Sequence, residues 1–267
     1  MAVEKFIQTN QYQTHYWELG SGDPLILLHG GGAGADGWGN WNQVLELYAE
    51  QGYRVIAYDA IGFGKTDKPN PKEFKYDHQA RVDQLLAFID ALGFEKASVI
   101  GNSMGGLTSL GAAIQAPEKI DKLILMGTGK PAQQSNGMKA LINYNIDYDA
   151  MYNIVKHLTN PNFQVNEELV NYRLQLTKQP GALESYGAIM QGILDYEFDQ
   201  KELEQIQHKT FIVHGTLDNM VPLERSYQLL DTLPNAWMYV IPHCGHWAMM
   251  EYPEEFSRVT NDFIKNH

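Results

Sequence analysis

Gly101-Asn102-Ser103-Met104-Gly105 sets a serine between two glycines, with the apolar run Ala97-Ser98-Val99-Ile100 before it and the small-residue segment Gly105 to Ala113 after it. A strand leading into a helix through such a pentapeptide is the setting in which a serine becomes an exposed nucleophile on a sharp elbow. The residue types follow from the geometry. A serine on so tight a turn sits in strained backbone, and side chains on either side would strike the neighbouring strand and helix, so both places take glycine. The helix that follows aims its unpaired N–H groups at the serine, where they favour developing negative charge.

A serine hydroxyl is a poor nucleophile without a positioned base, so a working elbow requires a histidine and a carboxylate further along. In open α/β sheets such groups gather at the carboxyl ends of strands. After the apolar run ending at Val213 comes Asp218, and after the run ending at Ile241 comes His246, in Pro242-His243-Cys244-Gly245-His246-Trp247. Ser103, Asp218, His246 is the chain order of the α/β-hydrolase triad. His243 precedes the tight Cys244-Gly245 turn and reads as a structural or surface histidine, as does His214. Cys244 reads as a small buried apolar group. Asp121 and Asp195 read as solvated loop or helix-end residues.

The reaction also needs donors for an oxyanion. The N–H of Met104, directly after the serine, is one. The second is expected from the glycine-rich loop His29-Gly30-Gly31-Gly32 after an early apolar run, with Gly31 the first choice and Gly32 the next. No Gly-Lys-Ser/Thr follows that loop, which excludes a phosphate-binding loop.

The elements that must position these groups can be read from apolar patterning. Lys5 to Leu19 alternates loosely and carries Thr, Tyr and Trp, an antiparallel hairpin at a sheet edge. Leu25–Leu28, Tyr53–Tyr58, Ala97–Ile100 and Leu123–Gly127 read as strands. Their continuous apolar runs fit burial on both faces. Helices are expected over Trp41–Glu50 and Arg81–Leu92, and from Gly105 until Pro117. Strands recur at Thr210–Gly215 and Trp237–Ile241, with helices over Leu223–Leu233 and Pro253–Ile264. Alternation of this kind predicts an α/β fold with a mostly parallel, eight-stranded sheet covered by helices on both faces. From about Gly129 to Gln205 no buried-strand run occurs, only helical patterns rich in Tyr, Met and Asn, broken at Pro161 and Pro180. Tyr144, Tyr148, Met151, Tyr152 and Val155 are expected to form one stripe. The organisation predicted is a core of residues 1–128 and 206–267 with a helical lid, 129–205, inserted after the sixth strand.

At 267 residues with 44% hydrophobic content the chain suits one large α/β domain. No run approaches membrane-span length and Met1–Phe6 lacks a signal-peptide core. One cysteine permits no internal disulfide, so a cytoplasmic setting is expected. The net charge of −12 argues against nucleic acid and anionic membrane as partners. An anionic substrate would be repelled by that overall field, so a local cation would have to hold it. No spacing suggests a metal site, and no cofactor is expected.

Taken together, His29-Gly30-Gly31-Gly32-Ala33-Gly34 with Gly37-Trp38-Gly39-Asn40, Gly101 to Gly106, and Cys244-Gly245-His246-Trp247-Ala248 resemble the meta-cleavage product hydrolases. These are carbon–carbon bond hydrolases of aromatic ring degradation within the α/β-hydrolase superfamily. The resemblance spans the chain and is sharp in those stretches; generic esterases usually carry other residues at Asn102 and Trp247. It implies a substrate of the 2-hydroxy-6-oxohexa-2,4-dienoate type. It implies too a polar pocket for the dienoate end built from Asn40, Asn102, Trp247 and a lid arginine, which falls at Arg173, with Gly32 beside it. Relatives often form homo-oligomers. The loop Gly215-Thr216-Leu217-Asp218-Asn219 lacks the Arg-Asp-Asp run of many relatives, and the lid matches only around Arg173, so the resemblance does not imply a substituent for the far pocket. Two other functions use the same residues: a carboxylesterase acting on small esters, and a ligand receptor on this fold.

Overall fold

Leu25–Leu28 and Val99–Ile100 carry apolar side chains on both faces, and in the computed structural model, which describes residues 1–267, all of them are buried. They belong to a single sheet of eight strands: β1 (Val3–Thr9), β2 (Tyr12–Leu19), β3 (Asp23–Leu28), β4 (Tyr53–Tyr58), β5 (Ala97–Asn102), β6 (Ile120–Met126), β7 (Thr210–Gly215) and β8 (Ala236–Ile241). The strand order is β1-β2-β4-β3-β5-β6-β7-β8. Only β2 runs against its neighbours, β1 and β4; the other pairs are parallel. β5, which leads to Ser103, is therefore central, between β3 and β6.

Eleven helices accompany the sheet: α1 (Gly37–Ala49), α2 (His78–Ala91), α3 (Met104–Gln115), α4 (Asn136–Ile142), α5 (Tyr148–Leu158), α6 (Glu167–Thr177), α7 (Ala182–Leu194), α8 (Gln200–Leu203), α9 (Leu223–Thr232), α10 (Ala248–Glu251) and α11 (Pro253–Asn266). Five of them, α4 to α8, lie between β6 and β7. No helix is long and apolar enough to cross a membrane.

Two helices begin earlier than apolar spacing predicts, and caps explain both. α1 starts at Gly37 rather than Trp41, because the Asp36 side chain accepts the N–H of Gly39 at 2.7 Å. α2 starts at His78 rather than Arg81, because Asp77 accepts from Ala80 at 2.9 Å. The stripe expected in the insertion forms without Tyr152. Met151, Ile154, Val155 and Leu158 make the buried face of α5. Tyr148 is half-buried against the core and stacks on Tyr152, which is exposed. Tyr144 precedes the helix and is buried edge-on to Tyr186.

Candidate active site

Ser103 joins β5 to α3 with φ +54° and ψ −112°, a conformation few non-glycine residues adopt. Neighbours on both sides enforce it. The Ser103 N–H donates to the Met126 carbonyl at 2.8 Å, and the Ser103 carbonyl accepts from Leu107 at 3.1 Å. A Cβ on Gly105 would lie 2.4 Å from the Leu28 carbonyl oxygen, so the elbow fits against β3 only with glycine there.

His246 and Asp218 meet as the sequence predicts. Nδ1 of His246 is 2.7 Å from Oδ2 of Asp218, while Oδ1 of Asp218 accepts the N–H groups of Met220 at 2.7 Å and Val221 at 3.0 Å. Burial works against the Asp218 charge, but the His246 ring and its hydrogen bond outweigh it and hold the carboxyl below the usual carboxylate range. A charged acceptor at Nδ1 fixes the proton there and leaves Nε2 as the free base. Ser103 and His246 line the same cavity without a hydrogen bond between them, a separation common before substrate tightens a site. The His246 loop is tied down from two sides. Its N–H donates to Leu158 at the end of α5 at 2.9 Å, and its carbonyl accepts from the Asn102 amide at 3.4 Å.

His214 is fully buried, which settles its structural-or-surface reading as structural. Its Nε2 lies 3.3 Å from Oδ2 of Asp218 and 3.1 Å from the Val221 carbonyl, and its Nδ1 is 2.7 Å from Ser226 Oγ. Two acceptors at Nε2 place the proton there, so a neutral His214 turns a second imidazole N–H toward Asp218, beside that of His246; burial keeps its pKa low. The position just before the β7 end was the only signal for it. His243 is exposed and Cys244 is buried, its thiol pushed up chiefly by burial. Asp121 pairs with Lys96 and Lys122 at the surface, and Asp195 ends α7.

The cavity gathers a polar cluster and a set of apolar side chains. Gly31 and Met104 face each other beside Ser103, since a Cβ on Gly31 would lie 3.4 Å from that of Met104. His29 shapes this loop: Nε2 accepts from Ala60 at 2.9 Å, and Nδ1 donates to the Gly30 carbonyl at 2.7 Å. In the polar cluster, Arg173 of α6 is fully buried. Nη2 donates to the Ala33 carbonyl at 2.5 Å, whereas Nε and Nη1 have no partner. Burial lowers its pKa to about 10, so it stays charged at neutral pH. A Cβ on Gly32 would come 3.1 Å from Nη2, which puts Gly32 beside Arg173, whereas Gly31 faces Met104. Asn40 Nδ2 donates to Asn102 Oδ1 at 3.3 Å and leaves its own Oδ1 without a partner, and the Arg173 guanidinium lies over the Trp247 ring. Leu107, Met138, Met190, Ile193, Met220 and Val221 supply apolar lining.

Comparison with known proteins agrees with this geometry. The family described as the alpha/beta hydrolase fold matches residues 23–149 and 139–253. The chain is 40% identical to a 2-hydroxy-6-oxo-6-(2'-aminophenyl)hexa-2,4-dienoic acid hydrolase of Metapseudomonas resinovorans, over 98% of this chain and 91% of that one. It is 32% identical to a 2-hydroxymuconate semialdehyde hydrolase of Pseudomonas sp. strain CF600, over 94% and 90% of the two. The crystal structure of a serine hydrolase involved in carbazole degradation superposes with a TM-score of 0.91 at 38% identity, covering 100% of both chains. The chain belongs to the alpha/beta hydrolase fold family and, within it, to the meta-cleavage product hydrolases.

Proposed function

We propose that Ser103, His246 and Asp218 hydrolyse a carbon–carbon bond in ring-cleavage products of the 2-hydroxy-6-oxohexa-2,4-dienoate type, with residues 129–205 serving as the lid over the site. One observation carries the substrate assignment. A fully buried arginine with two unpartnered nitrogens shares the nucleophile's cavity. A guanidinium buried with two of its nitrogens unpartnered and no counter-charge beside it is expensive, and a substrate carboxylate is the group that would offset it. Asn40 Oδ1, also unpartnered, suits the hydroxyl beside that carboxylate.

With the carboxylate on Arg173, the dienol is first converted to its keto tautomer: the 2-hydroxyl loses its proton and C5 gains one. His246 is the base within the site. The change matters because the C5 carbanion released later is then conjugated with the new 2-ketone. Ser103 next attacks the C6 ketone while His246 Nε2 takes its proton and Asp218 stabilises the imidazolium. The N–H groups of Gly31 and Met104 hold the C6 oxyanion, worth about 3–4 kcal/mol per donor. As the C5–C6 bond breaks, its electron pair passes into the dienolate, which is protonated to 2-hydroxypenta-2,4-dienoate. Water, deprotonated by His246, then hydrolyses the acyl-Ser103 ester. The apolar lining of Met138, Met190 and Met220 suits a hydrocarbon or aryl group on C6.

The test is bleaching of a yellow C6-aryl dienoate set against hydrolysis of a p-nitrophenyl ester of a short acid. Fast bleaching with weaker ester turnover is expected. Ester turnover without bleaching of any dienoate would make the protein a carboxylesterase.

A further inference from the structure

Arg173 is held in place by little of its own bonding. Its side chain makes one hydrogen bond, to Ala33, and Nε and Nη1 make none. Where the guanidinium sits therefore follows from where α6 docks, and two contacts to the loop before α1 fix it on that side. The hydroxyl of Tyr172, the residue before Arg173, donates to Oδ2 of Asp36. The Arg173 carbonyl oxygen lies 2.3 Å from the Cβ that Gly34 lacks, at φ +65°. Asp36 is itself buried, and its second oxygen accepts the Gly39 N–H that starts α1, one residue before Asn40. One carboxylate thus grips both halves of the polar cluster: α6 with Arg173, and the first turn of α1 with Asn40.

We propose that Asp36 and Tyr172 are positioning residues for the substrate carboxylate, setting Arg173 and Asn40 at their common spacing by locking α6 to the start of α1. Neither side chain lines the cavity, so the pair acts through Arg173 and Asn40 without touching substrate. The inference rests on the dienoate reading above. A tie that merely held the fold together would affect every substrate equally. A positioning pair affects the anionic one and spares a neutral ester that does not use Arg173.

Tyr172→Phe removes one hydroxyl and keeps the ring. In this variant KM for a C6-aryl dienoate should rise roughly fivefold, about the worth of one hydrogen bond. Its kcat should stay within about twofold, as should kcat/KM for the p-nitrophenyl ester. In a Ser103→Ala background, where substrate binds without turnover, Tyr172→Phe should raise the dienoate Kd by the same factor. Asp36→Asn keeps one oxygen to cap α1 and turns its amide N–H to the Tyr172 hydroxyl oxygen, so it should retain most of the dienoate affinity, whereas Asp36→Ala should not. Equal losses on dienoate and ester, or an unchanged dienoate KM and Kd, would overturn the proposal. If the wild type bleaches no dienoate, the substrate reading fails separately. The pair is then read from inhibition of ester turnover by benzoate, whose Ki should rise in Tyr172→Phe and whose constancy would overturn it.

Discussion

The guanidinium carbon of Arg173 stands 5.0 Å from the centre of the Trp247 ring, so the one buried cation of the cavity rests on the aromatic residue directly after His246. Cation–π contact and a single hydrogen bond to Ala33 are small returns for burying a charge. Activity and stability should therefore respond oppositely to its removal. Arg173→Met should raise KM for a dienoate at least about tenfold. It should also leave a neutral ester unaffected and raise the unfolding free energy by about 1–3 kcal/mol. Thermal unfolding and paired kinetics check both. A variant that loses stability and loses both activities alike would show Arg173 to be structural.

Gly127 bounds the His246–Asp218 pair from behind. It has φ +54°, and its missing Cβ would lie 2.8 Å from Nδ1 of His246 and 3.2 Å from Oδ2 of Asp218. Gly127→Ala should displace the imidazole and lower kcat about a hundredfold while the fold persists. Stopped-flow measurement of acylation would locate the loss in the first chemical step. A kcat within twofold of wild type would mean that the ring has slack the geometry denies.

Asp36 gives a pH-dependent signature. Burial, then the nearby Asp59 charge, raise its pKa to about 7, against the pull of Tyr172, Gly39 and Arg173. The unfolded value is about 3.9. Between those values the folded chain binds the proton and the unfolded chain does not, so stability falls as pH rises through that window. Asn does not titrate. The stability of the wild type relative to Asp36→Asn should therefore decline from pH 5 to pH 7, by at most about 1.4 kcal/mol per pH unit. Chemical denaturation of both proteins across that range measures it; a difference independent of pH would place the Asp36 pKa outside the window.

The parts of the site visible in the sequence are those fixed by local chemistry. Ser103 is marked by the glycines its turn demands, and Asp218 and His246 by their places just past apolar strands. What the sequence hid depends on contacts between distant segments. The Asp36–Tyr172 bond joins residues 136 positions apart and leaves no periodic trace. Apolar spacing set the start of α1 four residues late because the first turn, Gly37 to Asn40, is organised by the Asp36 cap and by the cavity rather than by the core. The tyrosines of α5 share a helical spacing with Met151 and Val155 only in part: Tyr148 packs against the core, whereas Tyr152 stacks on it from the exposed side. His214 carried no motif, and only its approach to Asp218 shows what it does.

The most direct measurement is a single-turnover experiment on the wild type and Ser103→Ala with a C6-aryl dienoate, followed by absorbance and by product analysis. The wild type should bleach the dienoate and yield 2-hydroxypenta-2,4-dienoate with the aryl carboxylic acid. Ser103→Ala should bind the dienoate with a spectral change and release neither product. Cleavage by Ser103→Ala at a rate near that of the wild type would contradict the serine mechanism at its centre.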